Sequence, residues 1–169
     1  VHHHDPESWP AVDDDTLLAT AEDWLGPRID RTTRRKHLQT LAARQPLADL
    51  LDWRQGRALD RLAPTHWEVP SGSRVPIDYD PEGGPVLAVR LQELFGLTES
   101  PAVMGGRVPL TLHLLSPAHR PVQVTQDLVS FWAEGYAEVR RELHGRYPKH
   151  HWPEDPTTAT PTNRAKRRT

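Results

Sequence analysis

GGRVPLTLHLLSPAHRPVQVTQD, Gly105–Asp127, holds the longest apolar run in the chain, Val108 to Leu115, interrupted by Thr111 and His113. The two polar residues fall at alternate positions. In an extended chain they point to one side while Leu110, Leu112 and Leu114 point to the other. Ser116 to Pro121 reads as a turn, and Val122–Thr125 as a shorter returning strand. The stretch therefore predicts a hairpin at the centre of a small sheet, with glycines before it and a helix after it. Thr125 is the expected N-cap of that helix, with Asp127 in its first turn. Leu128, Trp132, Tyr136, Val139 and Leu143 form its apolar stripe, and His144-Gly145 its end. Gly135 in mid-stripe implies a kink or a close contact with the sheet.

Upstream, from residue 63, the pattern is also that of strands. His66–Val69 and Arg74–Tyr79 flank a tight turn at Pro70-Ser-Gly-Ser73, and Pro76 suits an edge or a strand end. Val86–Val89 leads into Arg90–Phe95, where Leu91, Leu94 and Phe95 have helical spacing and Gly96 is the expected C-cap. Before residue 63 the pattern is helical. Asp13-Asp14-Asp15 suits a helix start, Leu17, Leu18, Ala21, Trp24 and Leu25 make a stripe, and Gly26-Pro27 reads as a stop. A helix through Leu38 and Leu41-Ala42 is expected to break at Pro46. The last helix, Trp53–Leu62, carries Arg54, Arg57 and Arg61 along one face. The fold class is α+β: an N-terminal helical segment, then a small, mostly antiparallel sheet packed by two helices. The expected segments are a tail or linker at 1–12, helices at 13–62, the α+β domain at 63–156 and a disordered basic tail at 157–169.

Composition bounds the function. The chain has 169 residues, 17 prolines, no cysteine and a mean hydropathy of -0.68. Disulfides and thiolate metal sites are excluded, which suits a reducing cytoplasm. No apolar run approaches the ~20 residues of a membrane-spanning helix. The net charge of -2 is segregated: residues 1–30 balance at -7, 31–62 at +5, 63–162 at -4 and 163–169 at +4. Nucleic acid would have to be held by local patches, because the total field does not favour phosphate.

Motifs for chemistry are missing. Gly83-Gly84 and Gly105-Gly106 are followed by Pro and Arg, so neither opens a P-loop. Pro70–Ser73 is a hairpin turn and not a nucleophile elbow. No HExxH occurs. His2-His3-His4 is read as a solvated tail, and His150 and His151, being adjacent, point apart in an extended segment, so that with His144 they offer at most a weak metal site. His113 suits a hydrogen-bonded structural role. No catalytic or metal-ligating residue is assigned.

Several strings come in the order of a known family: APTH at 63–66, VPSGSRV at 69–75, IDY at 77–79 and VLAVRLQELFGL at 86–97. GGRVPL at 105–110, HLLSP at 113–117, RPVQVT at 120–125, GRYPKH at 145–150 and WPEDP at 152–156 continue it. Together they resemble the C-terminal region of bacterial HrpB-type DExH-box ATP-dependent RNA helicases. The family-motif positions are Pro70, Ser71, Gly72, Ser73, Arg74, Asp78, Arg90, Gln92, Tyr147, Pro148, Lys149, His150 and Trp152. The resemblance implies a motor in two RecA-like domains upstream, which would hold ATP and Mg²⁺. It implies no cofactor in these 169 residues and an accessory role in RNA positioning or motor regulation. The resemblance and the basic 31–61 segment together make Arg34, Arg35, Lys36, Arg54, Arg57, Arg61, Arg74, Arg107 and Lys149 the candidates for phosphate contact. The alternative reading for each is a solvated surface cation. The alternative is a protein-docking module anchored by the aromatic, proline-rich Tyr147–Trp152 segment, in which Trp152 would otherwise be a structural strap. Expected partners are the motor domains, RNA and a protein partner.

Overall fold

The computed structural model describes residues 1–29, 47–80 and 83–164. The expected helix through Leu38 and Leu41, the break at Pro46, and Arg34, Arg35 and Lys36 lie outside the described residues. The chain divides into two compact units, Val1–Ala63 and Pro64–Thr169.

In the first unit, Asp13 caps helix α1 (Asp14–Ala19), accepting from Thr16 N at 2.9 Å and Thr16 Oγ1 at 2.8 Å. Helix α2 (Ala21–Ile29) follows at once, and the Trp24 indole donates back to Leu17 O at 3.0 Å. The stop expected at Gly26-Pro27 does not occur, since Pro27 lies inside α2. Gly26 has no Cβ for the following ring to crowd, so its helical conformation stays open. Helix α3 (Trp53–Leu62) begins with a reciprocal cap. Asp52 Oδ1 accepts from Arg54 N and Gln55 N at 2.7 Å each, and Gln55 Oε1 accepts from Asp52 N at 2.9 Å. That satisfies amides at the start of the helix which would otherwise lack partners.

The second unit is built on a five-stranded sheet of β1 (His66–Glu68), β2 (Arg74–Asp80), β3 (Gly84–Arg90), β6 (Thr111–Leu115) and β7 (Pro121–Thr125), in that spatial order. All neighbours are antiparallel except β3 and β6, which run parallel with Leu87 opposite Leu112 and Val89 opposite Leu114. The centre is therefore β3, and the β6–β7 hairpin lies beside it. Pro76 sits where β2 exchanges one partner for the other: it pairs with His66 of β1, and pairing with β3 starts at Ile77. The missing N–H at Pro76 thus falls where one ladder gives way to the next.

The apolar run Val108–Leu115 is two strands. β4 (Ala102–Val103) and β5 (Val108–Pro109) form a separate ribbon, and Leu110 N donates to Pro101 O before β6 begins. A parallel pair needs a long crossover, and residues 91–110 supply it. The helix expected at Arg90–Phe95 shrinks to one 3-10 turn, Leu91–Glu93. Residues 91–95 are all buried, so there is no wet face for a helix to present. Their carbonyls are also used by other segments: Ser71 N donates to Glu93 O and Thr162 N to Gln92 O.

Helix α4 covers the sheet. It runs as a turn at Leu128–Ser130, a π-helical turn at Phe131–Gly135 and an α-helix at Tyr136–Arg146. Its cap is Asp127, which accepts from Ser130 N at 2.9 Å, and not Thr125. Thr125 is still paired with Leu112 in the sheet, and its hydroxyl instead accepts from Asp127 N. The core joins Leu87, Val89, Leu112 and Leu114 of the sheet with Leu91, Leu94 and Phe95 of the crossover and Leu128, Trp132, Tyr136 and Leu143 of α4. Phe95, Trp132 and Tyr136 pack ring on ring, with centroids 5.4 to 6.2 Å apart. Residues 157–164, expected to be part of a free tail, instead lie against this unit. Thr162 N bonds to Gln92 O at 3.0 Å and Asn163 Nδ2 to Ser73 Oγ at 3.4 Å.

Candidate nucleic-acid interface

Most of the family-motif residues converge on one polar knot, whereas Arg74, Asp78, Pro148 and Lys149 lie outside it. Gly72, at φ +81°, lets the Pro70–Ser73 turn close, with Val69 N donating to Ser73 O. Ser71 Oγ donates to Glu93 Oε2 at 2.8 Å, and Arg90 Nε donates to Glu93 Oε1 at 2.8 Å. The Glu93 side chain is only 6% exposed and that of Arg90 25%. Burial pushes the Glu93 carboxyl up, but the Ser73 and Ser71 hydroxyls and the Arg90 guanidinium outweigh it, and the net displacement is below the ordinary value. Gln92 ties in the C-terminal strap: Nε2 donates to His151 O at 3.1 Å, and Oε1 lies 3.1 Å from His150 Nδ1. His150 is held below its usual value by burial and by the nearby Arg90 charge.

The strap itself is anchored inward. Trp152 is 5% exposed, and its indole donates to Tyr147 O at 2.9 Å. Tyr136 Oη donates to Pro153 O at 2.9 Å, and burial raises that phenol. Pro148 and Lys149 lie exposed in the Tyr147–His150 turn. The knot is a fully partnered clasp. Among the described residues no buried side-chain nitrogen or oxygen lacks a hydrogen bond, and no group of three or more His, Asp or Glu is placed to hold a metal ion. Asp78 stands apart on the open face of the sheet, where it lines a shallow hollow of about 540 Å³ with Pro76, Val86, Ala88 and His113.

The cationic candidates separate. Arg54, Arg57 and Arg61 are exposed together on α3. Arg74 is exposed on β2 opposite Glu68. Arg107 closes the Met104–Gly106 turn, with Nε donating to Met104 O at 3.1 Å. These two and Lys149 occupy three different elements of the second unit. The α3 face also contains a residue that sequence reasoning passed over. Trp53, the first residue of the helix, is 68% exposed, and the Arg54 guanidinium carbon lies 5.3 Å from its ring centroid. The helical period alone would have found it, because position 53 shares a face with 57 and 61.

Residues 24–156 match the family described as ATP-dependent helicase C-terminal, HrpB_C. The chain is 50% identical over 159 residues to the ATP-dependent RNA helicase HrpB of Escherichia coli (strain K12), covering 94% of this chain and 20% of that protein. The crystal structure of the E. coli DExH-box NTPase HrpB matches with a TM-score of 0.89 at 49% identity, over 95% of this chain and 20% of that one. A second crystal structure, of the Escherichia coli DEAH/RHA helicase HrpB, matches with a TM-score of 0.72 at 47% identity, over 87% and 18%. The chain spans about a fifth of the length of these relatives. No helix among the described residues is long and apolar enough to cross a membrane.

Proposed function

Because this chain belongs to the ATP-dependent helicase C-terminal family, we propose that it is an accessory module that positions RNA for, or regulates, a motor in the same polypeptide. The motor's two RecA-like domains would bind ATP and Mg²⁺ and are its expected partner, acting in the cytoplasm. This stretch supplies no chemistry to the ATPase step. The observation that carries the reading is the exposed row Arg54, Arg57 and Arg61 on α3, which offers phosphates three guanidinium groups on one side of a capped helix. The resemblance to a protein named as an RNA helicase supports RNA as the ligand.

The protein-docking alternative loses its proposed anchor, because Trp152 is buried as a strap. The test is the affinity of the purified chain for RNA at two salt concentrations. Binding should weaken steeply with salt, since each phosphate neutralised adds ~0.7 to the slope for a single strand. An absence of binding even at low salt overturns the reading.

A further inference from the structure

The arginine row has a feature that phosphate binding does not explain. Trp53 is the most exposed tryptophan among the described residues, with 68% of its surface in solvent. It is not a frayed end. Asp52 and Gln55 cap each other on either side of it, and Gln55 Nε2 is further tied to Ser8 O at 2.8 Å. The Arg54 guanidinium lies 5.3 Å from the ring centroid. On a regular helix Trp53, Arg54, Arg57 and Arg61 fall within an arc of about 100° and a rise of about 12 Å.

The charge of this face is modest. Asp60 flanks it and is exposed, so three arginines stand against one aspartate within the helix. Coulomb attraction alone gives such a face little affinity and no discrimination between duplex and single strand. A rigidly held indole with a guanidinium beside it is instead suited to stacking on a base, and only an unpaired base can offer its face. Resting on the RNA-handling reading above, the geometry points to α3 as a single-strand reader. Trp53 stacks on an unpaired base, and Arg57 and Arg61 contact the phosphates that follow.

The test uses the whole 169-residue chain, a 12-nucleotide oligouridine and an RNA hairpin duplex, with anisotropy read at two salt concentrations. The single strand should bind more tightly than the duplex. Trp53→Ala should weaken single-strand binding on the order of 10-fold and leave the salt slope unchanged. Trp53→Phe should retain most of the affinity. Arg57→Gln with Arg61→Gln should reduce the slope by about 1.4. Circular dichroism of each variant confirms that the helices remain. Equal binding of duplex and single strand, or a Trp53→Ala variant that binds as the parent does, overturns the single-strand assignment. If the arginine variant still weakens binding in that case, the RNA-handling reading stands without it. If the parent chain binds neither RNA, both fall.

Discussion

Glu93 shows how much one side chain can organise. Its carboxylate receives Ser71 and Arg90 at 2.8 Å each, and so joins the Pro70–Ser73 turn to the crossover 22 residues away. The turn was legible from Pro-Ser-Gly-Ser, since Gly72 is needed at positive φ. The partner was not, because nothing in a local pattern of apolar residues says which buried acid will meet a turn across the sheet. The consequence is a pH dependence with a definite sign. His150 is held below 6.5, so the unfolded chain takes up its proton first, and stability falls as the pH drops below about 6.5. Glu93 is held below 4.5, so its contribution is complete above that value and is lost as the pH falls through its lower folded value. Asp127 and Asp155, lowered by their bonds to Ser130 and to Thr157 and Thr158, share the second window. Urea unfolding of His150→Asn should lose the upper window. Glu93→Gln should weaken the lower one and cost about 1–3 kcal/mol at pH 7. A parent midpoint that stays flat from about pH 7 to pH 5 would contradict the His150 assignment, and one that stays flat from about pH 5 to pH 3 would contradict that of Glu93.

Among the elements, the alternation of strand residues is legible in the sequence, whereas helix ends and the division of Val108–Leu115 between two sheets are not. Leu110, Leu112 and Leu114 are fully buried, as alternation required. Gly26-Pro27 and Thr125 depart from expectation because each has a conformational alternative that only its neighbours decide: α2 continues through the proline, and Thr125 stays in β7. Arg90–Phe95 failed for a different reason, since residues buried all round leave no periodicity to distinguish a helix from a packed loop. Gly135 was the informative anomaly. It closes the π-helical turn, and a Cβ there would lie 2.9 Å from Phe131 Cδ2 in a buried ring. The close contact is with its own helix, not with the sheet. Gly145 lies in the same helix with nothing within 4 Å of its would-be Cβ. The two glycines therefore predict opposite signs. Gly145→Ala should stabilise by up to ~1 kcal/mol through helix propensity. Gly135→Ala should destabilise by about 1–2 kcal/mol, because the crowding outweighs the same gain. Thermal or urea unfolding of the pair decides it, and stabilisation by both would mean that the Phe131 ring gives way freely.

At the scale of the whole molecule, stability and charge are divided unequally. Every buried residue among the described ones lies between Val69 and Pro156. Helices α1 and α3 contain no buried residue, so they depend on caps and half-buried contacts, which are worth about 1 kcal/mol apiece. Residues 64–169 hold the sheet, the aromatic cluster and the Glu93 clasp, and meet the usual requirements of an autonomous domain. Their main body is acidic, with a balance of -4 over residues 63–162, which works against phosphate. The stacked tryptophan and the arginine row lie in the other unit. Folding and strand binding should therefore separate when the chain is cut at the boundary. Residues 64–169 alone should unfold cooperatively in urea near the main transition of the full chain, yet lose most of its affinity for single-stranded RNA. Residues 1–63 alone should show a broad, weakly cooperative transition, because caps and half-buried contacts on helices without a buried residue offset little of the entropy of ordering the backbone. Amide exchange on the intact chain tests the same division without cutting it. Amides of β3 and β6 should be the slowest and those of α3 among the fastest, and adding a single-stranded oligonucleotide should slow α3 selectively, because a ligand stabilises the conformation it binds. If the isolated sheet domain bound RNA as tightly as the full chain, or if protection appeared on β2 and β3 and not on α3, the ligand would have to be placed on the second unit instead.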